Sequence, residues 1–115
     1  MAQFLLILRD DPADFADFSP AQFQTLIGKY MAWSAGLRAE QRQLAGQKLA
    51  GGGAVLGKRA GKLVVTDGPF GEAKEVVGGY YLIEANDLEH AVALCRDHPQ
   101  LENGTVEIRP IDLLE

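Results

Sequence analysis

The chain has 115 residues, 47% of them hydrophobic and nine aromatic, which suits one folded domain and excludes an intrinsically disordered chain. Its formal charge is −5: residues 1 to 57 hold five basic and five acidic side chains, residues 58 to 115 six and eleven. The one basic cluster is Lys58, Arg59 and Lys62, too little to displace counterions along a phosphate backbone, so neither DNA nor RNA is an expected partner.

No apolar stretch reaches the ~18 residues of a membrane-spanning helix, and no basic leader follows Met1. The single cysteine, Cys95, has no internal disulfide partner. These features predict a cytoplasmic protein without a membrane partner, with Cys95 a small core residue.

In chain order, Gln3 to Arg9 is apolar at consecutive positions, as in a central strand covered on both faces. An acidic loop, Asp10 to Phe18, leads to Ser19-Pro20-Ala21-Gln22, an N-cap serine, first-turn proline and capping-box glutamine. A helix is predicted over residues 20 to 44, with Phe23, Leu26, Ile27, Tyr30 and Met31 as its core-facing stripe and Gly46 as its left-handed end. Gly51-Gly52-Gly53 connects to a hairpin of Val55 to Arg59 and Lys62 to Thr66 that turns at Ala60-Gly61. Val76 to Glu84 is a strand with Tyr81 and Ile83 on one face and Tyr80 and Leu82 on the other. Asn86 and Glu89 form a capping box for a second helix whose buried stripe is Leu88, Ala91, Val92 and Cys95, and Val106 to Ile111 is the last strand.

This order predicts an α+β fold, a ferredoxin-like split βαβ with an extra β-hairpin. Two helices cover one sheet face only. The apolar residues left on the other face predict a homodimer whose sheets pack together.

Among candidate chemistries, Gly52, Gly57 and Lys58 have phosphate-loop spacing, but Arg59 stands where the hydroxyl belongs and no helix starts there. His90 falls on the solvent face of the second helix, and His98 lies at its C-terminus, where a partly protonated imidazole suits the helix dipole. Neither reads as a metal ligand, and no cofactor is expected. The run Thr66 to Glu75 (TDGPFGEAKE) places Asp67, Glu72, Lys74 and Glu75 around a stiff Gly68-Pro69 pair, with Phe70 as a ring to bury. Asp67 is the candidate catalytic base or polar anchor, the other reading being a turn cap. Glu72, Lys74, Glu75, Tyr80 and Arg109 are the candidate ligand contacts for a small molecule.

The strings VTDGPFGEAKE, GGYYLIEA and VEIRP resemble the DGPF branch of the YCII-related family, over nearly the whole chain. The resemblance implies a dimeric α/β-barrel. It also implies a kinship with enzymes, a dehydrochlorinase among them, that use a histidine from the first helix region and an aspartate near the end of the second. Here no histidine precedes His90, and Asp97-His98-Pro99 departs from the Asp-Pro pattern. Genes of this branch often lie beside extracytoplasmic-function sigma factors, so the resemblance also allows a regulatory or accessory protein acting through protein contacts.

Overall fold

The computed structural model describes residues 2–67 and 76–114. Strand β1, Ala2–Asp10, is followed by a short 3-10 turn, Pro12–Phe15, and helix α1, Pro20–Ala39. Then come β2 (Gln43–Lys48), β3 (Ala54–Arg59), β4 (Lys62–Asp67) and β5 (Val76–Ala85). Helix α2, Leu88–Cys95, a 3-10 turn, Pro99–Glu102, and β6, Gly104–Pro110, complete the order.

The main sheet runs β2-β5-β1-β6 with every pairing antiparallel, and β3-β4 is a separate two-stranded ribbon. This is the α+β architecture expected, with β1 and β5 at its centre. Among the described residues no helix is long and apolar enough to cross a membrane.

Alternation along the central strands sends Phe4, Leu6, Leu8, Tyr81, Ile83 and Ala85 to the helix-covered face. There they close a core with Leu37, Ala91 and the buried Cys95, whose thiol burial pushes up to about 11. The Trp33 Nε1 donates to the carbonyl of Leu94 at 3.2 Å and ties α1 to α2. On the opposite face Leu5 stands against Leu82 and Ile7 against Tyr80, all four only partly buried.

Two predicted boundaries are corrected. Helix α1 stops at Ala39, not residue 44, and residues 43 to 48 form the edge strand β2. The stop is a Schellman motif: Gln41 adopts a left-handed φ of 58°, its amide donates to the Arg38 carbonyl, and the Arg42 amide donates to that of Leu37. Gly46 therefore ends no helix. It lies in β2 opposite Tyr81, where a Cβ would come within 2.6 Å of the ring. The second correction is the cap of α2, which is Asp87 instead of Asn86, its carboxylate accepting from the His90 amide at 2.8 Å.

The hairpin forms as predicted. Arg59 pairs with Lys62, and Ala60 and Gly61 both take positive φ, as a type I′ turn requires. In β5, Leu8 faces Gly79 while Arg9 faces Val77, so Gly78 is an extra, bulged residue.

Candidate functional site

The first half of α1 does not pack into the core as its stripe suggests. Phe23, Ile27 and Met31 are 40%, 42% and 66% exposed, and α1 reaches the core further along, through Trp33, Ser34 and Leu37. Phe23, Leu26, Ile27 and Tyr30 instead wall a cleft of about 690 Å³. Its other walls are the ends of β1 and β5, the Pro12–Phe15 turn, and residues 48 to 55.

The cleft is mainly apolar, with polar groups at one end. Tyr30 donates its phenol hydrogen to Gln100 Oε1. The Gln100 Nε2 donates to the carbonyl of Arg9 at 2.9 Å and to Asp10 Oδ2 at 3.1 Å. Because both ends of the amide are committed, its orientation is fixed and it aims the Asp10 carboxylate. Burial first, and the nearby Asp10 charge second, push the Tyr30 phenol up to about 12, so it stays protonated as a donor.

Close behind this network is His98, which is 2% exposed. Its ring sits against Trp33, Tyr30 and Tyr81 with centroid distances of 4.3, 5.4 and 5.6 Å. Its Nδ1 accepts from the Gln100 amide at 2.9 Å, which leaves the ring hydrogen on Nε2. Burial pulls the imidazole down to about 4. The expectation of a partly protonated His98 at a helix end is thus overturned: the side chain caps the Pro99–Glu102 turn inside the core and is neutral at pH 7. His90 is likewise tied locally, its Nδ1 accepting from the Asn86 amide at 3.0 Å.

The described candidate residues, Asp67, Tyr80 and Arg109, do not converge on one place. Asp67 is exposed at the end of β4, paired with Ala54, which lines the cleft. Tyr80 and Arg109 lie on the open face of the sheet, opposite Ile7 and Leu5, and so share neither the cleft nor the surroundings of Asp67. Arg109 is 65% exposed and within 3.6 Å of Glu107. The Glu107 carboxyl is held below its usual range by its hydrogen bond to Arg9. Glu72, Lys74 and Glu75, with Phe70, lie outside the described residues.

Sequence reasoning missed Asp10, Tyr30 and Gln100 as a set. The available signal is Gly78-Gly79 inside a strand, since glycine there often marks a close backbone approach. A Cβ on Gly79 would stand only 3.1 Å from the Gln47 carbonyl, whereas one on Gly78 would make ordinary contact, at 3.6 Å, with the Asp10 carboxylate. Gly104 is a second such mark: a Cβ there would fall 2.1 Å from the Arg9 carbonyl and 2.8 Å from Gln100 Nε2. Any larger residue would push apart the strands that hold Gln100 in place.

The chain matches the YCII-related domain over residues 2–114 and belongs to that family. Over 62 residues it is 40% identical to an uncharacterised protein of Rhizobium meliloti (strain 1021). That match covers 52% of this chain and 50% of the relative, so the chain spans about half the length of the curated protein it matches. Among solved structures it is similar to 5-chloro-2-hydroxyhydroquinone dehydrochlorinase from Burkholderia phenoliruptrix AC1100 in complex with 2,5-dihydroxybenzoquinone. There the identity is 17%, the TM-score 0.47, and the coverage 96% of this chain and 93% of that one. A likeness of that size supports no transfer of chemistry.

Proposed function

We propose that the protein is a homodimeric member of the DGPF branch of the YCII-related family that binds a small molecule in the cleft beside Tyr30. The observation that carries this reading is the Tyr30-Gln100-Asp10 network at one end of an otherwise apolar cavity. An apolar cleft with a few convergent, oriented polar groups is the usual form of a small-molecule site. With its hydrogen given to Gln100, the neutral phenol offers an acceptor oxygen and the Asp10 carboxylate a second acceptor, so the site suits a ligand with an apolar body and a hydrogen-bond-donating end.

The DGPF segment belongs to this reading through its described flanks. Asp67 is the cross-strand partner of the cleft residue Ala54, and Val76 lines the cleft itself. Asp67 is then a polar group at the rim, and Glu72, Lys74 and Glu75 are proposed contacts on sequence grounds. The homodimer is supported by the open sheet face, where Leu5, Ile7, Tyr80 and Leu82 remain partly exposed. An accessory protein acting through protein contacts alone would have no use for a cavity of this size, which favours the small-molecule reading.

Titration with anilinonaphthalene sulfonate tests the site. Leu26→Trp fills the cleft from α1 and is expected to weaken probe binding at least tenfold, about 1.4 kcal/mol. Parent-like affinity in that variant would place the probe elsewhere and overturn the reading. Asp67→Asn is expected to change stability by under about 1 kcal/mol, as a surface substitution does. An unaltered probe affinity in Asp67→Asn would leave that residue a turn cap only.

A further inference from the structure

The ribbon β3-β4 carries an apolar face that nothing described in its own chain covers. Cross-strand pairing sets Leu56 against Val65 and Leu63 against Lys58. Side chains of paired residues share a face, so Leu56, Leu63 and Val65 form one stripe, and they are 63%, 61% and 60% exposed. A two-stranded hairpin is marginal in water unless it packs on something. The tip of the ribbon adds three exposed cations, Lys58, Arg59 and Lys62, in a chain of net charge −5.

A surface with the complementary properties exists on the same molecule. Asp11, Asp14 and Asp17 punctuate the segment before α1, around an aromatic cluster of Phe15, Phe18 and Phe23. The ring centroids of that cluster are 5.1 to 6.3 Å apart, and Phe23 is 40% exposed. Among the described residues no ion pair joins Lys58, Arg59 or Lys62 to Asp11, Asp14 or Asp17. The base of the ribbon, Ala54 and Val55, lines the same cleft as Pro12, Phe15 and Phe23. Five strand steps of about 3.3 Å carry the tip about 17 Å away from that base. That separation leaves the cations open to such an acidic segment on another molecule.

We propose that each ribbon docks on a second copy of this chain, its aliphatic stripe against the partner's aromatic cluster and its basic tip against the partner's acidic segment. The contact is reciprocal, as a two-fold axis demands. It rests on the homodimer reading and extends it, because Phe15 and Phe23 of the aromatic cluster also wall the cleft. The partner's Leu56 or Leu63 would then stand at the mouth of each site.

Charge exchange at exposed side chains tests this, with Asp11, which is partly buried and caps the Pro12–Phe15 turn, left in place. Sedimentation of the parent is expected to show a dimer. Lys58→Glu with Arg59→Glu and Lys62→Glu should weaken it at least tenfold, as should Asp14→Lys with Asp17→Lys. Mixing the two variants should restore a heterodimer to within threefold of the parent. A tip variant that dimerises as the parent does, or a mixture that recovers nothing, overturns the docking. Leu82→Asp on the open sheet face separates the two readings: loss of the dimer there, with no effect at the tip, keeps the sheet dimer and discards the ribbon contact. A photo-crosslinker at position 63 should join two chains in mixed labelled samples, and bonds within one chain only would also overturn the proposal.

Discussion

The main sheet and the β3-β4 ribbon are built from similar aliphatic residues and end in opposite states. Leu6 and Ile83 are fully enclosed between strands and helices, whereas Leu56 and Leu63 are more than 60% exposed. What differs is company: among the described residues each central strand has two neighbours and a helix layer, while each ribbon strand has one neighbour and no layer. Hydrophobicity makes a strand available for burial, but a second layer is what completes it.

The comparison breaks if the two regions respond alike to truncation. Leu6→Ala removes enclosed methyl groups and is expected to cost about 3 to 4 kcal/mol, while Leu63→Ala should cost under about 0.5 kcal/mol at dilutions where the protein is monomeric. Chemical denaturation of both variants measures the contrast. Equal losses would mean that the ribbon is as integral as the sheet.

Acid sharpens the contrast, because the buried imidazole belongs to the body. The folded-state value of His98 is about 4, against 6.5 unfolded, so the unfolded chain binds the proton first as pH falls. Stability is complete above pH 6.5 and declines as pH falls from there toward 4. The gap between those values, at about 1.4 kcal/mol per pH unit, bounds the loss at about 3 kcal/mol. The groups facing the ring are Tyr30, Tyr81 and, from its own segment, Asp97, whose charge opposes the downward shift. Denaturation midpoints recorded across this window in the parent and in His98→Gln check the assignment. A parent and variant with the same pH slope would refute it.

The smallest expected effect is a gain. Gln41 holds a left-handed φ that costs a non-glycine residue on the order of 1 kcal/mol, so Gln41→Gly should raise stability by up to about that much. Thermal unfolding is the measurement, and a lowered midpoint would show that the Gln41 side chain contributes more than its backbone costs.

The same residue explains what could and could not be read from the sequence. The start of α1 was legible because its signal is local: Ser19 Oγ accepts from the Gln22 amide at 3.2 Å and Gln22 Oε1 from the Ser19 amide at 2.7 Å. The Ala60-Gly61 turn was legible for the same reason. The end of α1 was not, since a glutamine occupies the position that glycine usually marks, and the next glycine, Gly46, serves the close approach of Tyr81. Edge strand β2 was lost with it. The polar end of the cleft was less legible still. Tyr30 and Gln100 are separated by 70 positions and Asp10 and Gln100 by 90, so only the folded topology brings them together.

The bulge at Gly78 works as a phase shift in β5. Strict alternation would set Val76 on the face shared by Tyr80 and Leu82, away from the helices. The extra residue moves it half a period, opposite Asp10 and onto the cleft side. Deleting Gly78 would restore a regular ladder and still leave Val77 opposite Arg9 and Val76 opposite Asp10, because the bulged residue is the one without a partner. The bulge thus lets β5 hold one residue more than β1 across this stretch while Val76 keeps the cleft-side place that faces Asp10.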